Sequence, residues 1–167
     1  MNFVIVGTNF ISDTLLAAAK TVSEFSLYGV CSRAEQSGNA FLAKHAIKNA
    51  KVFTTIEQVC SDDSVDAVYI AAPNSLHKSY AVACLNAGKH VLGEKPAAAN
   101  SQELAAIVDA AKQNNRLYME AMMTTHLPNF AVLQQAIAKI GTPRKYIGQY
   151  SQYSSRYDKY KNGERPN

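Results

Sequence analysis

Short apolar segments alternate with segments of helical periodicity through residues 1–122. Six apolar runs have the length and composition of buried strands: Asn2–Val6, Phe25–Cys31, Lys51–Phe53, Ala67–Ala72, His90–Gly93 and Leu117–Met122. Between the runs, apolar residues recur every three or four positions, as Leu104, Ile107 and Ala111 do, which is typical of an amphipathic helix. The pattern therefore predicts strands that alternate with helices.

Strands that alternate with helices pair in parallel, because a crossover helix returns the chain to the same end of the sheet. We predict an α/β fold for residues 1–122, a doubly wound parallel sheet of the Rossmann type. Helix starts are indicated by a polar cap followed three positions later by Glu or Gln: Ser32 with Glu35, Thr55 with Gln58, and Asn100 with Glu103. Asn74 is a further candidate cap.

The pattern changes after residue 122. Residues 127–140 predict one more helix, which Gly141 and Pro143 terminate, and Arg144–Ser154 predicts an isolated strand. A single strand is not stable by itself. We therefore expect residues 123–167 to form a linking helix and the first strand of a second, incomplete α+β domain for substrate binding and dimerisation. An unfinished edge strand predicts self-association, and we expect a homo-oligomer.

Composition and charge exclude several classes of protein. Hydrophobic residues make up 47% of the 167 residues and charged residues 18%, which is a globular composition. The net charge is +4, but residues 1–142 carry 11 basic and 11 acidic side chains. A neutral body argues against nucleic-acid binding on a broad positive face. Base stacking on the five tyrosines between residues 146 and 160 stays open as a less favoured alternative.

The chain has no feature of a membrane or secreted protein. No apolar run approaches the roughly 18 residues of a membrane span, and the N-terminus has no basic segment or cleavage site of a signal peptide. We therefore expect a cytoplasmic protein. Cys31, Cys60 and Cys84 are odd in number and lack CxxC spacing, so we interpret them as small buried residues and expect no disulfide and no metal site.

Ligands of open parallel sheets bind beyond the carboxyl ends of the strands, so the residues there are the candidates for function. The first such segment runs from Gly7 to Ser12 and keeps only the first glycine of GxGxxG. Gly7 allows a tight turn, and the following helix N-terminus offers N–H groups to a pyrophosphate. Asn9 replaces the second glycine, which asparagine can do by adopting the left-handed conformation.

The segment after the second strand distinguishes NAD from NADP. NAD sites usually have an acidic residue there that binds the adenosine ribose, but this chain has Ser32 and Arg33. A hydroxyl and a guanidinium bind a 2′-phosphate through charge-assisted hydrogen bonds. The sequence therefore favours NADP as the cofactor and leaves NAD possible. Alternatively, Ser32 is only a helix cap and Arg33 a solvated residue, and Ser32 could serve in both ways.

Two further strand ends carry polar residues. His77 follows the fourth strand after Pro73-Asn74 and has no metal-binding partner in the sequence. Glu94 and Lys95 directly follow the apolar fifth strand. A lysine at this position could bind a substrate hydroxyl or act as an acid and base. The alternative is an ion pair between the two neighbours.

Together these residues resemble a known family. The segments VIVGTNFIS, VCSR, SVDAVYIAAPNSLH, AGKHVLGEKPAA and YMEAMMTTHLP occur in that order and are similar to the N-terminal domain of the Gfo/Idh/MocA oxidoreductases. The resemblance covers about residues 1–150. It implies NAD(P)-dependent transfer of a hydride between the nicotinamide and a carbinol of a small sugar, polyol or diol.

The resemblance also implies roles for individual residues. Lys95 would be catalytic and would reach both nicotinamide and substrate, Glu94 would contact the ribose, and the Lys95–Pro96 peptide would be cis. Ser32 and Arg33 would contact the adenosine ribose. The other residues expected to contact the cofactor are Gly7, Thr8, Asn9, Phe10, Ile11, Ala72, Pro73, Asn74, Leu76, His77, Ala121 and Met122.

The chain departs from the family pattern because the C-terminal domain, which supplies a catalytic histidine and most substrate contacts, does not follow residue 167. We therefore expect this chain to bind the cofactor and to turn over little substrate. The alternatives are a non-catalytic nucleotide-binding or redox-sensing module and a different Rossmann enzyme such as a methyltransferase that uses S-adenosylmethionine. The latter sites usually have an acid after the second strand, where this chain has Ser32 and Arg33.

Overall fold

The computed structural model describes residues 1–154 and 157–164. The chain divides into two compact units, Met1–Ala121 and Met122–Asn167. The first contains the whole sheet and its flanking helices.

One six-stranded sheet forms the centre of the first unit, with the strand order β3-β2-β1-β4-β5-β6. All five neighbouring pairs are parallel, which confirms the predicted doubly wound α/β fold. The strands are β1 (Asn2–Val6), β2 (Ser26–Cys31), β3 (Lys51–Phe53), β4 (Ala67–Ile70), β5 (His90–Gly93) and β6 (Tyr118–Glu120). The strand order reverses between β1 and β4, which makes their carboxyl ends the expected place for a ligand.

Helices connect consecutive strands and cover the sheet. They are α1 (Phe10–Ala19), α2 (Glu35–Lys44), α3 (Ile56–Ser61), α4 (Asn74–Asn86) and α5 (Ser101–Gln113). Two clusters of buried side chains, one containing Val4 and Val68 and the other containing Ile5 and Tyr69, pack against these helices. Successive strand residues point to opposite faces, so the sheet is buried on both faces, which explains why β1 and β4 are apolar throughout.

The predicted helix starts are correct at two positions. Thr55 forms a reciprocal capping box with Gln58. The Asn100 side chain accepts a hydrogen bond from the Glu103 backbone N–H, and the Glu103 carboxylate accepts one from the backbone N–H of Ala99. These bonds satisfy N–H groups that have no partner within the helix.

The predicted caps at Ser32 and Asn74 are wrong. The Ser32 backbone N–H donates to the Phe53 carbonyl at 3.0 Å, which extends the pairing between β2 and β3 and delays the helix until Ala34 is its cap. Asn74 is itself the first helical residue, because the turn begins one residue earlier at Pro73. The Leu76 N–H already bonds to the Pro73 carbonyl at 2.8 Å.

The second unit contains a 3₁₀ turn at Met123–His126, helix α6 (Pro128–Lys139) and helix α7 (Tyr157–Lys161). The strand predicted at residues 144–154 is wrong, because the structure shows irregular chain there. A strand requires a neighbour that accepts and donates its backbone hydrogen bonds, and the described part of this unit contains no strand. The edge on which the predicted self-association rested is therefore absent from the described residues.

Within the described residues, no helix combines the length and apolar character that a bilayer crossing requires.

Candidate functional site

A cavity of about 650 Å³ opens where the chain leaves β1, β2, β3 and β4. It therefore lies at the switch point of the sheet, where open α/β folds bind ligands, and its volume is in the usual range for small-molecule sites. Its lining comes from four consecutive strand–helix connections: Val6 to Asn9, Cys31 to Ala34 with Ser37, Thr54 to Ile56, and Ala71 to Pro73 with Leu76 and Tyr80.

The turn after β1 is held tightly against the end of β4. Gly7 has a φ of +98°, a conformation that favours glycine. A Cβ at this position would lie 2.5 Å from the Ala71 carbonyl oxygen, which is closer than atoms can approach. The Gly7 N–H donates to the Cys31 carbonyl at 2.9 Å. Glycine is thus required here for both its conformation and its size.

Asn9 does not replace the second glycine in the way the sequence predicts. Its φ is −91° and its ψ is 177°, so the residue is extended rather than left-handed. It acts instead as the cap of α1: its Oδ1 accepts from the Ile11 N–H at 3.0 Å, and its Nδ2 donates to the Ala71 carbonyl at 2.8 Å. Ser12, at the third glycine position, is fully buried and donates to the Gly7 carbonyl at 2.8 Å.

Unused backbone hydrogen-bond donors lie at the start of α1, and two of the residues that carry them, Thr8 and Asn9, line the cavity. The backbone N–H groups of Thr8, Asn9 and Phe10 have no acceptor among the described residues, and the helix dipole places positive charge there. Asp13, in the first turn, is paired with Lys44 and His45, each at 2.7 Å. These hydrogen bonds hold the pKa of Asp13 below its usual value, and the Lys44 ammonium offsets its charge.

The cavity wall beyond β2 is the one that carries charge. Arg33 is the only charged residue among the described residues that line the cavity, and no aspartate or glutamate contributes to the lining. Its guanidinium has no hydrogen-bond or ion-pair partner in residues 1–154 and 157–164. The cap residue of α2, Ala34, provides no side-chain acceptor. This wall therefore suits an anion.

Four polar residues of the cavity lining were not predicted as site residues from the sequence: Ser37, Thr54, Thr55 and Tyr80. Thr54 and Thr55 follow β3, so the reasoning applied to the other strand ends would have found them. Ser37 and Tyr80 lie inside α2 and α4, and no pattern in the sequence places those positions on the cavity.

Among the residues predicted after β4, Ala72, Pro73 and Leu76 line the cavity, whereas Asn74 and His77 do not. The His77 ring is 2% exposed. Its Nδ1 lies 2.7 Å from the Pro96 carbonyl oxygen and its Nε2 lies 2.9 Å from the Ala72 carbonyl oxygen. The ring thus connects the end of β4 with the turn after β5, a contact that positions both segments.

Glu94 and Lys95 follow β5 as predicted, but they do not form the ion pair considered as the alternative: the ion pairs of the described residues involve other side chains. Glu94 accepts a hydrogen bond from the buried Tyr69 hydroxyl at 2.7 Å. Burial and this carboxylate raise the pKa of Tyr69 well above its usual value, so Tyr69 remains a donor. Lys95 is exposed, and the Lys95–Pro96 peptide is cis.

The structure does not bring every predicted residue to the cavity. Phe10 is 78% exposed, and Ile11 and Ala121 pack against the apolar core. Neither these residues nor Glu94 and Lys95 are part of the lining. Met122 belongs to the second unit. Gly7, Thr8, Asn9, Ser32 and Arg33, by contrast, lie together on it.

Comparison with known proteins identifies the class. Residues 1–122 match the family model GFO_IDH_MocA, described as an oxidoreductase family with an NAD-binding Rossmann fold. The chain belongs to this family.

Individual relatives of the chain are dehydrogenases or have an NAD-binding domain. The chain is 46% identical over 163 residues to the scyllo-inositol 2-dehydrogenase (NADP(+)) IolU of Bacillus subtilis, which covers 98% of this chain and 49% of the relative. It is 32% identical over 137 residues to the human trans-1,2-dihydrobenzene-1,2-diol dehydrogenase, and the match covers 81% of this chain and 40% of the relative. A crystal structure of an NAD-binding protein from Listeria innocua superposes with a TM-score of 0.74 at 31% identity, covering 84% of this chain and 40% of that one. The chain spans about half the length of the curated relatives it matches.

The contact between Gly7 and Ala71 can be tested by the substitution Gly7→Ala. We expect it to lower the free energy of unfolding by about 2–4 kcal/mol, because strain at a positive φ adds to the collision with the Ala71 carbonyl. Urea unfolding followed by circular dichroism measures this loss.

Gly88→Ala is the matched control. Gly88 also has a positive φ, of +75°, but its nearest neighbouring atom would lie 3.7 Å from the added Cβ, so only the cost of the conformation applies, about 1 kcal/mol. Equal losses for the two variants would show that the close approach at Gly7 is not a constraint.

Proposed function

We propose that the chain is the cofactor-binding part of an NADP-dependent dehydrogenase that acts on CH–OH groups of a small sugar, polyol or diol. The observation that carries the proposal is the charge of the cavity, in which Arg33 is the only charged side chain of the described lining. A carboxylate at this wall would repel a 2′-phosphate, whereas a guanidinium binds it through several N–H groups.

The donors of the cavity fit the parts of a phosphorylated dinucleotide. The N–H groups of Thr8 and Asn9, just before α1, suit the pyrophosphate. Ser32 and Arg33 would bind the phosphate on the adenosine ribose, and Ser37, which also lines the cavity, adds a hydroxyl donor. The two groups of donors lie at the ends of neighbouring strands β1 and β2, in the order in which a dinucleotide presents its phosphates.

The names of the relatives support the class of reaction. The Bacillus relative is named as an NADP(+)-dependent inositol dehydrogenase and the human relative as a diol dehydrogenase. When bound, the nicotinamide supplies the hydride acceptor or donor. We infer that Lys95, exposed at the same end of the sheet, holds the substrate hydroxyl and exchanges its proton. Glu94, oriented by the Tyr69 hydroxyl, would bind the ribose.

Several residues that the sequence predicts as cofactor contacts do not line the cavity, and their proposed roles change accordingly. His77 would position the turn that carries Lys95, through its contact with the Pro96 carbonyl, instead of binding the cofactor itself. Asn74, Phe10, Ile11, Ala121 and Met122 stay predictions from the family resemblance. The cytoplasmic location, the homo-oligomer and the absence of nucleic-acid partners also stay predictions.

Titration of the chain with NADPH and with NADH, followed by the nicotinamide fluorescence, tests whether Arg33 selects the phosphorylated cofactor. We expect tighter binding of NADPH. Arg33→Ala should weaken NADPH binding by about 10–100-fold, since a charge-assisted contact to the 2′-phosphate is lost, and change NADH binding by less than about threefold.

The matched control is Lys48→Ala, which removes the same charge from an exposed lysine that does not line the cavity. It should leave both affinities unchanged. The NADP assignment would fail if the wild-type chain bound NADH more tightly, or if Arg33→Ala weakened both cofactors equally.

The proposed role of Lys95 can be tested only in a protein that turns over substrate. We expect the chain joined to the second half of the Bacillus relative to oxidise one or more inositols, sugars or diols with NADP⁺. There, Lys95→Met should lower kcat by about 10²–10⁴-fold, the usual contribution of a positioned acid and base, and leave NADPH affinity unchanged. Steady-state absorbance at the nicotinamide band measures the rate.

Lys112→Met is the control, because Lys112 is an exposed residue in the last turn of α5. An unchanged kcat in Lys95→Met would exclude the catalytic role of Lys95. No turnover of any such alcohol by the joined protein would favour the non-catalytic nucleotide-binding module.

A further inference from the structure

Two cysteines outside the cavity lie against each other where α3 meets α4. The Sγ atoms of Cys60 and Cys84 are 4.0 Å apart, and both thiols are free. Cys84 is fully buried, whereas Cys60 is only partly buried, which differs from the sequence interpretation that all three cysteines are buried. The pair thus combines a fully buried cysteine with a partly exposed one.

A buried cation accompanies this pair. Lys89 is 5% exposed, and its Nζ donates to the carbonyl of Asp62 at 2.9 Å, two residues beyond Cys60. The hydrogen bond with Cys84 lowers the pKa of Cys60, and the Lys89 charge acts in the same direction. The same hydrogen bond and burial raise the pKa of Cys84. Cys60 is therefore the thiol that ionises first, and the thiolate is the nucleophilic form.

We propose that Cys60 and Cys84 form a redox-active pair that is oxidised by peroxides to an intramolecular disulfide joining α3 to α4. The two sulfurs must approach from 4.0 Å to about 2.05 Å. The two residues belong to α3 and α4, which are in contact with each other, and closing the bond requires a change of side-chain rotamer.

The reaction balances with hydrogen peroxide as the oxidant. The Cys60 thiolate attacks one peroxide oxygen, the O–O bond breaks, and Cys60 becomes a sulfenic acid while hydroxide leaves and takes up a proton. The Cys84 sulfur then attacks the Cys60 sulfur, the S–O bond breaks, and water leaves with the Cys84 proton. Two thiols and one peroxide thus give one disulfide and two waters, and a dithiol reductant reverses the change.

The pair lies away from the cavity. Cys60 is the penultimate residue of α3, and Cys84 is in the last turn of α4. The cavity lining, by contrast, includes the first turns of both helices. We therefore expect the oxidised chain to keep its cofactor affinity, which makes cofactor binding a test that the oxidised protein is still folded. A disulfide that closes the segment between the two cysteines restricts the unfolded chain, so the melting temperature should rise.

The experiment treats the full chain with a small excess of hydrogen peroxide, blocks the remaining thiols under denaturing conditions, and measures the mass before and after trypsin. The three cysteines fall in separate tryptic peptides, residues 21–33, 52–78 and 79–89. After one blocking group on Cys31 is allowed for, we expect the oxidised chain to weigh about two mass units less than the reduced chain. The digest should contain a cross-link between the second and third peptides, and dithiothreitol should restore both free thiols.

Cysteine variants distinguish a disulfide between Cys60 and Cys84 from other oxidation products. Cys31→Ser is the control and should form the same disulfide. Cys84→Ala should stop at a sulfenic acid on Cys60 that dimedone traps, and Cys60→Ser should give neither product. A disulfide that contains Cys31, a cross-link only between two chains, or direct oxidation of Cys60 to sulfinic acid in the wild-type chain would each overturn the proposal.

Discussion

The close approach of Gly7 to Ala71 is the contact on which the rest of the site depends. The Ala71 N–H donates to the Val6 carbonyl at 2.8 Å, and the Ala71 carbonyl accepts from the Asn9 side chain. The turn after β1 is thereby fixed to the end of β4, the point at which the strand order reverses. This contact aims the start of α1 at the cavity and leaves its N–H groups free for a ligand.

The organisation of the sheet could be predicted from the sequence because it depends on patterns that occur within short segments. Each strand is apolar over several consecutive residues, because both faces of the sheet are buried and every side chain of a strand then faces the core. The caps at Thr55 and Asn100 were predictable for the same reason, since a cap bonds to a backbone group three residues away. The failed cap at Ser32 depends instead on Phe53, whose carbonyl holds Ser32 in the sheet.

The site could be predicted only in part. The sheet topology locates any residue at the carboxyl end of a strand, which is why Gly7, Ser32, Arg33 and Pro73 lie on one cavity. The conformation of Asn9 was not predictable, because an asparagine can replace glycine or cap a helix, and the nearby Ala71 carbonyl decides between them. The same holds for the predicted strand at residues 144–154, since the pattern of one strand cannot show whether a partner strand is present.

The central hypothesis is that the cavity between Gly7 and Arg33 binds a phosphorylated dinucleotide. The most direct measurement is a titration of the isotopically labelled chain with NADPH, followed by the chemical shifts of its backbone amides. We expect the largest changes at Thr8, Asn9 and Arg33, and none at Gly88. Unchanged shifts of these three amides at saturating NADPH, or changes confined to residues away from the cavity, would contradict this binding mode.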